Sequence, residues 1–191
     1  IEHISAYSLM YEEGTPLHHL LKQGVIKETD EDTSYNMYNI LRDRLKDAGY
    51  EHYEISNFAI NGFHSRHNSS YWEGIPYIGV GASAHSYDIH TRQWNVSDVE
   101  TYINSIENGS IPMEIELIDE DTRYNDFITT SLRTSKGLDI SILSDKHRKF
   151  CLDCAADFIK QGYVEIINNR LRITRKGLFI SDMIMSELMF I

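Results

Sequence analysis

The stretch Tyr53–Ser86, YEISNFAINGFHSRHNSSYWEGIPYIGVGASAHS, decides how this chain is interpreted. It predicts a short strand, then a polar loop, then a glycine-rich strand end. The loop, residues 64–72, holds two histidines, an arginine and a Tyr-Trp pair, whereas connecting loops are built mainly from Gly, Pro, Ser, Asn and Asp. Loops that bind something carry such groups on a rigid scaffold. We therefore expect the functional site here.

Strands and helices alternate around this stretch, which indicates an α/β fold. Strand, helix, strand with short connections is typical of βαβ units in a parallel sheet. Ligands of such sheets lie where the strands end, so we expect residues 8–10, 56–58 and 81–85 to meet at one cleft. The predicted elements are a buried strand at 3–10, strands at 50–56 and 77–81, and helices at 16–24 (capped by Thr15) and 30–49 (capped by Thr29 or Asp30).

The second half of the chain follows a different pattern, which predicts a mainly helical, winged-helix-like C-terminal domain. Asn168-Asn169 between two short apolar runs is a two-residue hairpin signal and marks the wing. The predicted domains are 1–96, a connecting helix and linker at 97–112, and 113–191. The predicted elements are a ribbon at 84–96, helices at 98–108, 119–134, 140–144 and 148–161, wing strands at 163–167 and 170–174, and a last helix capped by Thr174.

Composition and charge bound the class of protein. The 191 residues are 41% hydrophobic and 25% charged, as in ordinary globular domains, and the net charge of -11 does not suit a general phosphate-backbone binder. No apolar run is long enough to span a bilayer. Two cysteines and no secretory signal favour a reducing, cytoplasmic setting. The chain opens on a strand-like stretch without an initiator Met, so we expect it to begin inside a longer protein.

The hexapeptide HNSSYW, His67–Trp72, is the first candidate site. An imidazole can ligate heme iron, an aromatic pair can cover a flat macrocycle, and Arg66 can pair with a propionate. The alternative is a loop held down by its aromatic side chains, with His67 and Asn68 bonded to backbone, since buried Tyr and Trp usually pack and find a polar partner.

Three other patterns in the chain are weaker. Residues 79–84 are small enough to let a ligand approach the backbone, and tight packing explains them equally well. Glu54 and Asn57 place a carboxylate and an amide near a strand end. Cys151 and Cys154 have the spacing of half a zinc site, which residues 64–67 could complete, although buried filler is the commoner role of free cysteines.

The wing carries a small basic cluster, which raises the possibility of DNA binding. The helix at 148–161, however, has no clear basic face, so a solvated surface is the better explanation. The cluster consists of Arg170, Arg172, Arg175 and Lys176.

Several segments together resemble the oxygen-independent coproporphyrinogen III oxidase family of radical SAM proteins. In the first half they are HISAYSLMYEEGTP, GYEHYEISNFA, SRHNSSYW and YIGVGASAHS, in that order. The HNxxYW motif at His67–Trp72 resembles the heme-chaperone branch rather than the oxidase branch. The segments LRTSKGLD, DFIKQGYVEI and LRITRKGLFISDMI resemble the family's C-terminal domain, so the resemblance covers essentially the whole chain.

The resemblance implies a partial (β/α) radical SAM barrel, of which residues 1–96 are the C-terminal strands. In the family this barrel holds a [4Fe-4S] cluster and S-adenosylmethionine. The family's CxxxCxxC cluster motif is absent here, so the chain corresponds to the C-terminal portion and is expected to be inactive alone. The site residues implied are His67 as heme contact and possible iron ligand, with Asn68, Tyr71 and Trp72 beside it, and Met10, Ala84 and His85 on the S-adenosylmethionine side.

The function implied is that of a heme chaperone, which binds heme and delivers it to a recipient hemoprotein. One alternative is an oxygen-independent coproporphyrinogen III oxidase acting in porphyrin biosynthesis, against which the HNxxYW motif argues. Another is a non-enzymatic regulator that uses its winged-helix-like domain. For the chaperone we expect neither a nucleic-acid partner nor a transmembrane segment.

Overall fold

Two compact units make up the chain, residues 1–64 and residues 65–191. A computed structural model describes all of residues 1–191. The mixture of helices and strands agrees with the predicted α/β class, but every pairing between neighbouring strands is antiparallel. No helix combines the length and apolarity that a membrane span requires. The predicted domain division at 97–112 stays a prediction.

The first unit contains two helices and a three-stranded sheet. Its helices begin at the predicted caps: Thr15 accepts a hydrogen bond from the His18 N–H, and Asp30 accepts one from the Thr33 N–H. These caps satisfy N–H groups that the helix itself leaves unpaired. The elements are β1 (His3–Ser5), α1 (Pro16–Lys22), α2 (Glu31–Asp47), β2 (Glu51–Glu54) and β3 (Asn57–Ala59), and the sheet order is β1-β3-β2.

The predicted parallel pairing was wrong because the segment after α2 turns back on itself. Ile55-Ser56 form the turn of a β2–β3 hairpin, and β1 pairs with the other side of β3. The predicted buried strand at 3–10 is also wrong. Beyond β1 the chain is irregular, and Met10 is 74% exposed. An apolar run forms a strand only as far as a neighbouring strand pairs with it.

Glu54 and Asn57, a weak site candidate, have a structural role at this hairpin. Both side chains are buried. The Asn57 amide donates to the Glu54 carboxylate at 2.5 Å, and the Ser56 N–H donates to the same oxygen at 2.9 Å. The Ser5 hydroxyl donates to the Asn57 side chain at 2.7 Å, so the pair ties β1 to the hairpin.

The second unit contains five helices and two three-stranded sheets, ordered β4-β5-β6 and β7-β9-β8. Its core includes Tyr124, Ile128 and Leu132, together with Leu171 and Leu188. The elements are α3 (Arg66–Trp72), β4 (His85–Tyr87), β5 (Thr91–Asn95), α4 (Val99–Glu107), β6 (Met113–Leu117), α5 (Glu120–Ser131), β7 (Leu138–Asp139), α6 (Asp145–Lys160), β8 (Val164–Ile167), β9 (Arg170–Ile173) and α7 (Ser181–Glu187), with 3-10 turns at Ile140–Ile142 and Leu178–Ile180.

The winged-helix-like order of helix, helix, wing and helix is confirmed in this unit. The wing turns at Asn168 and Asn169, whose φ angles of 51° and 60° are those that its tight turn requires. Thr174 does not cap the last helix as predicted. Its hydroxyl donates instead to the Gly162 carbonyl at 2.7 Å, and α7 begins later, directly after a 3-10 turn.

One further strand prediction was wrong. Residues 77–81 form no strand, and only Tyr77 pairs with Tyr87 in an isolated bridge. The N–H of Gly79 bonds to the Ser86 hydroxyl rather than to a neighbouring strand. Residues 113–117, to which no element was assigned from the sequence, form β6, and their alternation MEIEL is a strand pattern.

Candidate functional site

The HNxxYW hexapeptide lies on the short helix α3, not in a loop as predicted. Ser65 caps the helix, and its hydroxyl accepts a hydrogen bond from the Asn68 N–H at 3.2 Å. The helix ends at Glu73, after which Gly74 takes a left-handed conformation with φ of 63°. A serine at this position is a helix-start signal. The polar composition of the segment hides that signal in the sequence.

The helix places His67 beside Tyr71, four residues later. The two rings meet edge-on with centroids 5.0 Å apart and planes at 89°. Both side chains are exposed, and the His67 imidazole makes no hydrogen bond within the chain. Asn68 and Trp72, also four residues apart, are half-buried. The alternative prediction, in which the His67 side chain bonds to the backbone, was therefore wrong.

Tyr71 continues into a row of ring contacts. Its centroid lies 4.8 Å from that of Tyr77, which lies 6.0 Å from that of Tyr87. Tyr77 and Tyr87 are fixed to each other by two backbone hydrogen bonds of 2.9 Å. Burial, helped by the neighbouring Tyr71, raises the pKa of Tyr77, so its phenol is neutral near pH 7. His67 and Tyr71 are exposed, whereas Tyr77 and Tyr87 are half-buried. We name these four rings the exposed aromatic chain, after its exposed end at His67 and Tyr71.

An open cleft of about 550 Å³ lies beside Tyr77 and Tyr87, at the end of the exposed aromatic chain that is opposite His67. Its volume is within the range of small-molecule sites, which combine apolar and aromatic walls with a few polar groups. It is lined by Pro76, Tyr77, Ile78, Ser86, Tyr87, Asp88, Thr91 and Gln93.

Ion pairs connect this region to α5 and to the turn after it. Arg92 contacts Asp126 of α5 at 2.6 Å and Glu116 of β6 at 3.2 Å. Lys136 contacts Glu73, the residue that ends α3, at 2.7 Å. Partly exposed pairs of this kind each contribute about 0–1 kcal/mol. Their main effect is to orient the elements that carry the exposed aromatic chain.

The glycine-rich segment at 79–84 is shaped by packing, one of its two predicted explanations. A Cβ on Gly79 would lie 2.1 Å from the His85 carbonyl oxygen, far inside van der Waals contact. The buried Asn95 donates to the Gly81 carbonyl at 2.9 Å, and the Tyr102 hydroxyl accepts from the Gly81 N–H at 3.1 Å. Sequence patterns miss Asn95 and Tyr102 because neither belongs to a motif.

The residues expected on the S-adenosylmethionine side lie in both units. Met10 belongs to the first unit and is exposed. In the second unit, the Ala84 carbonyl accepts from the Asn95 N–H at 3.0 Å, while His85 is exposed on β4 with its ring 6.1 Å from that of Trp94. Their role toward S-adenosylmethionine stays a prediction.

Cys151 and Cys154 do not fit an iron–sulfur cluster or a zinc site. Both lie on α6, and Cys151 is fully buried. Burial raises the pKa of the Cys151 thiol to about 11, so it stays protonated at neutral pH. Neither cysteine belongs to a group of three or more His, Cys, Asp or Glu side chains that could hold a metal ion. The packing role of these cysteines is the one that the structure supports.

Comparison with known proteins identifies the family. Residues 118–180 match the family described as HemN C-terminal domain. A protein of Mycobacterium tuberculosis named heme chaperone HemW is 30% identical over 190 residues, which are 99% of this chain and 48% of that protein. The chain belongs to the HemN family. A mouse relative, named radical S-adenosyl methionine domain-containing protein 1, mitochondrial, is 39% identical over 105 residues, 52% of this chain and 24% of that relative.

A solved structure shows the same fold for the HemN-family chain. It is that of coproporphyrinogen III oxidase (HemN) from Escherichia coli, described as a radical SAM enzyme, and the TM-score is 0.70 over 98% of this chain and 48% of that one. At 16% identity the likeness shows the fold alone. It confirms the predicted fold class. The chain spans about half the length of the curated relatives it matches, 48% in the mycobacterial one.

Proposed function

We propose that this HemN-family protein is a heme chaperone whose helix α3 presents heme to recipient hemoproteins in the cytoplasm. His67 is the axial ligand of the heme iron, and Asn68, Tyr71 and Trp72 contact the macrocycle. One observation carries the proposal: the HNxxYW motif folds as a helix that leaves the His67 imidazole exposed and without a hydrogen bond.

The chemistry of an exposed imidazole supports this role. A neutral imidazole is among the commonest metal ligands, and neither nitrogen of His67 is occupied by the protein. Tyr71 stands edge-on beside it and limits the orientations of the ring. A carrier must also release its cargo, and a ligand on an open helix surface can be reached by a recipient protein. A buried axial ligand would instead retain the heme.

The proposed place of the radical SAM cofactors follows from the family resemblance. In the full-length protein, Met10, Ala84 and His85 lie on the side of the S-adenosylmethionine. The [4Fe-4S] cluster takes its ligands from outside residues 1–191, because the family's cluster motif has three cysteines and these residues contain only two, both on one helix.

Two other functions were weighed against heme delivery. A decarboxylating oxidase acts on coproporphyrinogen, and turnover of that substrate by the full-length protein would support it. A DNA-binding regulator needs cations on the wing that are free to contact phosphates. Arg170, however, contacts Asp139 at 3.2 Å, and the Lys176 ammonium lies 4.4 Å from the centre of the Tyr163 ring. These contacts favour a structural wing.

A heme titration of the full-length protein, followed by absorbance, tests the proposal. We expect His67→Ala to weaken heme binding by at least about tenfold, since loss of a metal ligand or its support commonly costs this much. His19→Ala is the matched control, because His19 is also exposed on a seven-residue helix. Equal affinities of the two variants would remove His67 as a ligand.

A further inference from the structure

We propose that the cleft beside Tyr77 and Tyr87 receives the apolar edge of heme and selects against macrocycles that carry a carboxylate on every pyrrole. The inference rests on the proposed function, because it takes His67 as the iron ligand. It assigns a specificity role to a site outside the HNxxYW motif.

Ring contacts connect His67 through Tyr71 to Tyr77, which lines the cleft. The ring centre of Tyr71 lies 5.0 Å from that of His67 and 4.8 Å from that of Tyr77. The His67 and Tyr77 ring centres are therefore closer to each other than the sum of these two distances. A tetrapyrrole is several aromatic rings wide, so a macrocycle bound at His67 extends over Tyr71 toward the cleft. Tyr77 and Tyr87 provide walls with which a flat conjugated system stacks.

The rim of the cleft is apolar and accessible. Ile78 lines it with 86% of its surface exposed, and the nearby Ile75 is 47% exposed. Large aliphatic side chains exposed beside an open cleft are typical of binding surfaces. Pro76 completes this rim. The methyl and vinyl groups of heme match these side chains.

The charge of the cleft opposes carboxylates. Its lining contains Asp88 and no basic side chain. The N–H groups of His90 and Thr91 donate to Asp88 and hold the pKa of its carboxyl below the usual range, so it is ionised at neutral pH. Arg92, which lies near Tyr77, is already paired with Asp126 and Glu116. A propionate that entered the cleft would therefore meet no free cation.

The apolar rim of the cleft and its lack of a free cation distinguish two classes of tetrapyrrole. Heme carries its two propionates on one edge and can place its methyl and vinyl edge in the cleft. Coproheme, the iron complex of coproporphyrin, carries a propionate on each pyrrole, so whichever pyrrole enters the cleft brings a carboxylate with it. Burying a carboxylate without a partner is costly, whereas the propionate edge of heme stays in solvent.

Gln93 offers a substitution that changes the charge of the cleft with little effect on its shape. It lines the cleft and is half-buried on β5. Gln93→Lys adds a cation, and Gln93→Met is the uncharged control of similar length. Circular dichroism of both variants verifies that they are folded, and Ile78→Asp, at an exposed position, tests the apolar rim independently.

Titrations of the full-length protein with heme and with coproheme test the inference. We expect the unmodified protein to prefer heme by at least about tenfold, and Gln93→Lys to reduce that preference about tenfold relative to Gln93→Met. Ile78→Asp should weaken heme binding several-fold. Binding of heme that depends on His67, with equal affinity for coproheme or no difference between the Gln93 variants, would overturn the cleft assignment alone. Heme binding that is independent of His67 would overturn the proposed function instead.

Discussion

Two of the groups of histidine and aromatic rings in this chain are built in opposite ways. In the first unit, His52 stacks on Phe58 with centroids 4.3 Å apart, and Tyr38 packs edge-on against it. Both ring nitrogens of His52 are engaged, one with Arg42 at 3.2 Å and the other with the Ile55 carbonyl at 2.9 Å. Phe58 is buried, and the other two rings are half-buried. We name Tyr38, His52 and Phe58 the buried aromatic cluster, after Phe58.

The exposed aromatic chain of the second unit also consists of a histidine and aromatic residues, but its histidine lacks the hydrogen bonds that His52 makes. His67 contacts a ring but has no hydrogen bond, and Tyr71 is 43% exposed. Residue type alone therefore does not separate a structural histidine from one that we propose to bind heme. The proposal for His67 rests on its unused hydrogen-bonding and ligating capacity at the surface.

The largest expected contrast between the two groups is in stability. Phe58 is 1% exposed, so Phe58→Ala should destabilise the first unit by about 3–5 kcal/mol. Tyr71→Ala should change the free energy of unfolding by less than about 1 kcal/mol, because Tyr71 is partly exposed. Denaturant titration of both variants measures the contrast. Similar losses of stability in the two variants would mean that the exposed aromatic chain is also part of the packed core.

Heme affinity should show the opposite contrast. Tyr71→Ala removes the ring that contacts both His67 and Tyr77, so heme binding should weaken by about three- to tenfold, a loss of roughly 1 kcal/mol. Tyr71→Phe, which keeps the ring, should retain most of the affinity. Absorbance titrations measure both. An affinity that tracks the hydroxyl rather than the ring would contradict stacking.

Alkaline pH should reveal the contribution of Tyr38 to the stability of the buried aromatic cluster. Burial raises the pKa of Tyr38 to about 12, and its hydroxyl donates to the Ile55 carbonyl at 3.0 Å. Since the folded pKa lies above the unfolded value near 10, this contribution to stability is present below pH 10 and is lost as the pH rises toward 12. Tyr38→Phe should therefore flatten the decline of the unfolding midpoint between pH 10 and 12. An unchanged slope would show that Tyr38 ionises freely in the folded state.

A smaller effect is expected in acid. Burial lowers the pKa of His52 below its ordinary value of 6.5. The unfolded chain then binds the proton more readily, so the contribution of His52 is present above about pH 6.5 and is lost as the pH falls through the folded pKa. Between pH 7.5 and 5, His52→Gln should lose less stability than the unmodified protein. A loss in His52→Gln equal to that of the unmodified protein would contradict a buried, neutral imidazole.

Local signals predicted much of this fold from sequence. The caps at Thr15 and Asp30 and the turn at Asn168-Asn169 depend on residues only a few positions apart. Strand pairing is decided by distant residues, so the insertion of β3 between β1 and β2 was not predicted. Tertiary contacts likewise decided that residues 77–81 form no strand.

The candidate site was likewise predictable from local signals and not from contacts between distant residues. His67–Trp72 was predicted to carry function, from its residue types and from the family resemblance, but its helical form was not. Tyr77 was noted only as the start of a predicted strand and of a family-resembling segment, and Tyr87 lies outside those segments. The two were missed as site residues because they meet only through an isolated bridge. Their place beside Tyr71 follows from ring contacts that no sequence period encodes.

The identity of the iron ligand tests the account most directly. Electron paramagnetic resonance of the heme-loaded, full-length protein should show an imidazole-ligated iron in the unmodified protein. In His67→Cys the spectrum should change to that of a thiolate-ligated iron, because the axial ligand sets the electronic state of heme. Identical spectra for the two proteins would contradict the assignment of His67 and, with it, the role of helix α3.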